Sequence, residues 1–213
     1  MGDRFDRLGG RHPNVERLLR RPGIGHNNGP TFDMSWEAWV WRRASAKAWK
    51  TPSPEVAKMR VRRAERLGIA YKELTAALMN TGANLGAAVM PLSLAARVRR
   101  GPKGEIVVEP RNSVAALVGR FGGRLFLLGD IDAVPALTEA ERAEFLVTVN
   151  RAFDGKVDAL GWGHDGAAIR MMLKANAVAH QEAFLIGAGM AHQVLGEGAG
   201  LPLTKDIETW FNH

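Results

Sequence analysis

Acidic and imidazole side chains follow several apolar stretches in the second half of this chain. These residues are Asp130 and Asp132 after one stretch, His164 and Asp165 after the next, and His192 after the last. Carboxylates can act as nucleophiles or hold a hard cation, and imidazoles together with carboxylates can hold a transition metal. The histidines show no close His-x-x-x-His spacing. We therefore predict no metal site.

The elements that would position these side chains alternate between strand and helix patterns. Predicted strands are 105–109, 124–128, 157–162 and 183–186, and predicted helices are 114–121, 139–153 and 167–176. Thr138 is placed to cap the helix that starts at residue 139. Alternation of this kind is typical of a parallel sheet covered by helices on both faces.

Four segments, in order, resemble the motifs of the haloacid dehalogenase (HAD) superfamily of phosphatases. They are 87–98, AAVMPLSLAARV; 123–132, GRLFLLGDID; 163–172, GHDGAAIRMM; and 184–203, FLIGAGMAHQVLGEGAGLPL. Their order matches the branch that contains the small histidinol-phosphate and heptose-bisphosphate phosphatases. The resemblance covers roughly the last 125 residues. It implies an α/β, Rossmann-like domain.

Each of the four motifs departs from the family pattern. The first lacks the nucleophilic aspartate, with Ser93 and its neighbours in that place. The second has Gly129 and Asp130 where the family holds phosphate with Ser or Thr and Asn, the third has Asp165 in place of lysine, and the fourth has Ala188 and His192 in place of two aspartates. The resemblance therefore implies a HAD-like protein whose catalytic motifs are degenerate, and we predict that it binds a partner or ligand without catalysis or a cofactor.

A second interpretation places the nucleophile elsewhere. The sequence from Asp130 to Val134, DIDAV, itself resembles the first HAD motif, and Asp130 or Asp132 would then act with magnesium in a hydrolase. Only 81 residues follow Asp132, and the remaining motifs are not visible in them. We favour the interpretation that both aspartates belong to a loop after a strand, and the hydrolase remains an alternative.

Basic residues are concentrated at the N-terminal end. Residues 1–70 contain 15 of the 29 Lys and Arg and 7 of the 22 Asp and Glu, a net charge of +8, whereas the rest of the chain carries −1. We predict a tail over 1–33, a basic helical leader over 34–85 and the HAD-like domain over 86–213. In the leader, Ser53 and Pro54 open a helix with Val56, Met59, Ala64 and Leu67 on one side, and residues 71–79 form another helix.

The arginines of the leader are candidates for binding a polyanion. They are Arg42, Arg43, Arg60, Arg62, Arg63 and Arg66. Guanidinium groups beside tryptophans such as Trp36 and Trp39 suit a nucleic acid, which makes nucleic-acid association a further alternative function. The interpretation that we favour is structural, with the tryptophans anchoring the leader and the arginines forming a solvated face. A protein partner is also compatible with this surface.

Composition limits the remaining classes. The chain has 213 residues and no cysteine, so disulfides and thiolate chemistry are excluded. No apolar run approaches the roughly 18 residues of a membrane span. We expect a soluble, cytoplasmic protein that does not associate with membranes. The sequence does not indicate its oligomeric state.

Overall fold

The computed structural model describes residues 52–129, 134 and 137–212. The helices are α1 Pro54–Leu67, α2 Tyr71–Thr81, α3 Leu92–Ala95, α4 Asn112–Arg120, α5 Glu139–Ala152, α6 Gly166–Ala175 and α7 Gly189–Gly198, with a 3-10 turn at His180–Glu182. The strands are β1 Ala87–Pro91, β2 Ala96–Arg100, β3 Ile106–Pro110, β4 Arg124–Gly129, β5 Val157–Trp162, β6 Ala183–Gly187 and β7 Thr204–Asp206. The predicted tail, Arg42, Arg43, Asp130 and Asp132 lie outside the described residues.

Five parallel strands form the central sheet in the order β5-β4-β1-β6-β7. Counted along the chain within the sheet, this is the order 3-2-1-4-5 of doubly wound α/β proteins. In the middle of the sheet, Ala87 pairs with Arg124 on one side and with Ala183 on the other. The predicted α/β class is thus confirmed, and β5 has the bounds that the apolar pattern predicts.

Helices cover both faces of the sheet because alternate strand residues point to opposite sides. In β1, Ala88 and Met90 enter one core cluster, whereas Ala87 and Val89 enter the other. The first cluster includes buried residues of α1, α2, α4 and α5, and the second includes buried residues of α6 together with Ala199, which follows α7. The continuous apolar character of the strands follows from this two-sided burial.

The helices α1 and α2 pack into the same core as the sheet. Leu67 is buried at the end of α1, and its carbonyl accepts a hydrogen bond of 2.9 Å from Nε1 of the fully buried Trp210. Lys205, buried in β7, donates to Glu73 of α2 at 2.9 and 3.1 Å. The part of the basic segment from Pro54 onward is therefore fixed to the α/β body, and residues 54–213 form one compact unit.

The strands β2 and β3 form an antiparallel hairpin after the single turn of α3. Arg100 in β2 makes two hydrogen bonds with Glu141 in α5, at 2.8 and 3.1 Å, which tie the hairpin to that helix. The hydrogen bonds from Arg100, and those from Thr138, lower the pKa of Glu141 to about 2. Thr138 and Glu141 also form the capping box that starts α5, so the predicted cap is confirmed.

Met59 of α1 is not buried with its predicted partners. It was predicted on one side of the helix with Val56, Ala64 and Leu67, but 61% of it is exposed, whereas Ala64 and Leu67 are buried. Those two residues, in the second half of the helix, belong to the core cluster that also contains residues of α2 and the sheet. Among the described residues, no helix is long and apolar enough to span a membrane.

Candidate functional site at the carboxyl edge of the sheet

The carboxyl ends of four parallel strands bring the predicted motif positions to one edge of the sheet. The strands β1, β4, β5 and β6 end at Pro91, Gly129, Trp162 and Gly187. From β1 the chain continues to α4 on one face, and from β6 it continues to α7 on the other. Neighbouring strands whose connections leave on opposite faces define the switch point where ligands bind in open α/β sheets. The crevice between β1 and β6 therefore has the position of a ligand site.

The end of β1 presents apolar side chains and a backbone carbonyl. Pro91 and Leu92 are buried, and Ser93 is exposed in α3. The Ser93 carbonyl accepts hydrogen bonds from Nε and Nη2 of Arg111 at 3.3 and 3.1 Å. Since 87–98 contains no carboxylate, this strand end offers no acidic nucleophile.

The end of β4 is covered by an indole ring. A Cβ atom added to Gly129 would lie 2.9 Å from Cε3 of Trp162. Trp162 also packs on Phe145, with ring centroids 5.6 Å apart. Glycine at this position thus allows the close approach of Trp162, and the indole occupies the space that a side chain at residue 129 would need. Asp130 and Asp132 follow directly and lie outside the described residues.

The end of β5 leads into α6 through two exposed polar residues, His164 and Asp165. The Asp165 carboxylate accepts a hydrogen bond of 2.8 Å from the Ala168 backbone N–H, which makes it the N-cap of α6. Aspartate is among the preferred N-cap residues because its carboxylate satisfies an unpaired donor of the first turn. Helix capping therefore accounts for an acidic residue at this motif position.

The end of β6 is closed by contacts between Gly187, Ala188 and His192. Nδ1 of His192 lies 3.1 Å from the Ala188 backbone nitrogen and 2.7 Å from its carbonyl oxygen. Depending on the tautomer, Nδ1 accepts from the N–H or donates to the carbonyl. A Cβ atom on Gly187 would lie 2.5 Å from the Cβ of His192. The imidazole is thus packed against the strand end and engages the backbone at the start of α7.

A groove of about 440 Å³ lies between the ends of β6 and β7. Its polar lining includes Gln193, Glu197, Thr204 and Asp206. Oδ1 of Asp206 accepts a hydrogen bond of 2.8 Å from the Glu208 backbone N–H. Within the described ranges, no group of three or more His, Asp or Glu residues could hold a metal ion.

The described arginines that were predicted to bind polyanions lie elsewhere, on α1. Arg60, Arg62, Arg63 and Arg66 line a second groove of about 820 Å³, together with Leu78 of α2. Arg63 donates through Nε to the Leu85 carbonyl at 2.7 Å, and the aliphatic part of Arg66 packs against Gly122. The sequence pattern placed these arginines on one helix but did not indicate a groove, because Leu78 and Asn84 line it only after α2 folds back on α1.

Comparisons with known proteins give few matches. No protein-family profile matches the sequence. No curated protein matches it either. Among solved structures, a crystal structure of a putative HAD family hydrolase from Streptomyces avermitilis MA-4680 aligns over 56% of this chain and 69% of its own, with 15% identity and a TM-score of 0.36. A match this remote does not establish the family of the chain.

Proposed function

We propose that this chain is a HAD-like protein that acts by binding and does not transfer phosphoryl groups. The proposal is supported by the placement of the four motif-like segments. Three of them include the carboxyl end of β1, β4 or β6, and the fourth begins directly after β5. In a sheet of order 3-2-1-4-5, these strand ends lie at the edge where such sheets bind ligands. The coarse architecture thus agrees with the resemblance in the sequence.

The observation that carries the non-catalytic part is the end of β1. A phosphoaspartyl mechanism needs a carboxylate nucleophile at this position. Here the strand ends in the buried Pro91 and Leu92, and the exposed Ser93 has its carbonyl bound by Arg111. The other described motif positions offer an N-capping carboxylate, a methyl group and a packed imidazole. None of these replaces the missing nucleophile.

The alternative function is a magnesium-dependent hydrolase with relocated residues. It is kept because Asp130 comes directly after β4 in the sequence and Asp132 follows two residues later. In that case one aspartate would be the nucleophile, and both carboxylates would contribute ligands to magnesium. The other ligands would have to come from residues such as Asp206, at the far side of the edge.

Calorimetric titration with magnesium, run beside a generic phosphatase assay at high enzyme concentration, separates the two functions. We expect neither magnesium binding nor turnover. Magnesium binding together with turnover that disappears in Asp130→Asn or Asp132→Asn would overturn the proposal. Asp154→Asn is the matched control, since it removes an exposed carboxylate where the chain turns from α5 to β5.

The partner is proposed to bind the basic surface of α1. The candidate residues are Arg60, Arg62, Arg63 and Arg66, with Arg42 and Arg43 outside the described residues. Nucleic acid is the alternative partner, and its binding would weaken steeply with salt because phosphate contacts release counterions. No cofactor is proposed. Soluble, cytoplasmic localisation remains a prediction.

A further inference from the structure

The groove between α1 and α2 combines apolar and cationic side chains. Val56 and Met59 of α1 and Leu78 of α2 supply its apolar lining, and 61% of Met59 is exposed. At about 820 Å³, the groove is larger than the groove at the carboxyl edge. An exposed methionine offers a flexible, polarisable surface that adapts to apolar partners.

The charge of the groove is strongly one-sided. Among the described residues that line it, four are arginines and one, Glu65, carries a carboxylate. None of the ion pairs formed within the described part of the chain involves Arg60, Arg62 or Arg66. Arginine binds carboxylates through two parallel hydrogen bonds, which makes an acidic partner the complementary one.

The walls of the groove are held in place by the core. Ala64 and Leu67 anchor α1, Leu74 and Ala77 anchor α2, and all four are buried. The Arg63–Leu85 hydrogen bond fixes the groove to the segment that enters β1. A preformed groove loses little conformational entropy when it binds.

From the apolar lining and the unbalanced charge, we propose that this groove binds an acidic amphipathic helix of a partner protein. The apolar face of such a helix would contact Met59 and Leu78, and its carboxylates would pair with Arg60 and Arg62. This inference rests on the proposed binding function and names the class of partner that would bind. Nucleic acid fits the groove less well, because sites for unpaired bases rely on aromatic stacking and none of the described residues that line the groove is aromatic.

A labelled synthetic peptide tests the proposal on the full chain by fluorescence anisotropy. The peptide has about 16 residues, with leucine at helical i, i+3, i+4 and i+7 spacing and glutamate at most other positions. We expect the double variant Arg60→Gln, Arg62→Gln to weaken binding by about tenfold. Met59→Gln should weaken it by about fivefold, because burial of the methionine is lost.

Controls separate the groove from general charge and composition. The double variant Arg97→Gln, Arg151→Gln removes the same charge from exposed positions outside the groove, and binding should stay within about twofold of wild type. A peptide of the same composition, with leucines spread around the helix, should bind more weakly than the amphipathic one.

Three results would overturn the inference. The first is failure of the wild-type chain to bind the amphipathic peptide, and the second is equal weakening by both double variants. The third is preferential binding of a single-stranded oligonucleotide of equal charge that displaces the peptide, which would assign the groove to nucleic acid. The anisotropy readout involves no turnover, so each of these results is distinguishable from failure of the non-catalytic proposal, which magnesium titration and the phosphatase assay measure.

Discussion

The carboxyl edge of the sheet and the α1–α2 groove differ in how their polar groups are used. At the edge, the Asp165 carboxylate caps α6, His192 bonds to the backbone of Ala188, and Trp162 covers Gly129. In the groove, Arg60 and Arg62 have no ionic partner among the described residues. The edge thus has the position of a ligand site, but its polar groups are already bonded within the fold. The groove has cationic side chains that are available to a ligand. A fold supplies places for function, and side chains decide which place is used.

The largest expected effect tests whether the wall of the groove belongs to the core. Trp210→Ala removes a fully buried indole that donates a hydrogen bond to the Leu67 carbonyl and packs against Phe121, with ring centroids 5.7 Å apart. We expect the free energy of unfolding to fall by about 3–5 kcal/mol. Trp210→Phe keeps a ring and loses the hydrogen bond, so it should cost less. Urea denaturation measures both, and a loss below about 1 kcal/mol for the alanine variant would contradict the role of Trp210 as an anchor of α1.

Gly129→Ala tests whether the edge can accept a side chain at a motif position. The new Cβ would lie 2.9 Å from the Trp162 ring, and the clash should destabilise the fold by about 1–3 kcal/mol. The matched control is Gly119→Ala in α4, where no neighbouring atom lies within 4 Å of the added Cβ. That variant should stabilise the chain by about 0.5–1 kcal/mol, since alanine favours the helix. Equal unfolding free energies for the two variants would show that the Trp162 indole moves aside at little cost, so the edge could accept a side chain at residue 129.

Asp165 tests whether an acidic residue at the edge is structural. Asp165→Ala should cost about 1 kcal/mol, because the Ala168 N–H loses its cap. Asp165→Asn should have little effect on thermal unfolding, since asparagine is an equally good N-cap without the charge. If the asparagine variant proved as unstable as the alanine variant, the charge of Asp165 would matter and the capping interpretation would be incomplete.

The smallest expected effect concerns pH and the hairpin. The pKa of Glu141 is lowered from 4.5 to about 2 through its hydrogen bonds with Arg100 and Thr138. A lowered pKa in the folded state stabilises the fold above the unfolded value, and this stabilisation is lost as pH falls from about 4.5 towards 2. Glu141→Gln should flatten that part of the pH profile of unfolding. If Glu141→Gln and the wild type had the same dependence of unfolding free energy on pH, the lowered pKa of Glu141 would be contradicted.

Local sequence patterns were sufficient for much of the fold. The bounds of β5 and the capping box of α5 could be predicted because each depends on residues close together in the chain. The helix start at Pro54 also agrees with its predicted cap and first-turn pair. Long apolar runs separated by helical patterns were enough to predict a parallel sheet, since both faces of its strands are buried.

Other features depended on contacts between distant segments. The exposure of Met59 was not predicted, because its spacing matches that of Ala64 and Leu67 while its surroundings do not. The groove was missed because it needs both α1 and α2. The absence of carboxylates from 87–98 could be recognised from the sequence, but the contacts made at the predicted motif positions could not. Trp162 over Gly129 and His192 against Gly187 become visible only when the strands are assembled.

By itself, the sequence determined part of the alternation of strands and helices, the concentration of positive charge near the N-terminus and the absence of an acidic residue from 87–98. These properties depend on composition and on short-range periodicity. Only the tertiary structure decided that Trp210 fixes Leu67 from 143 positions along the chain, and that the arginines of α1 line one groove with Leu78 of α2. These features depend on packing, because burial and hydrogen bonding between remote segments are set by how all elements fit around one sheet.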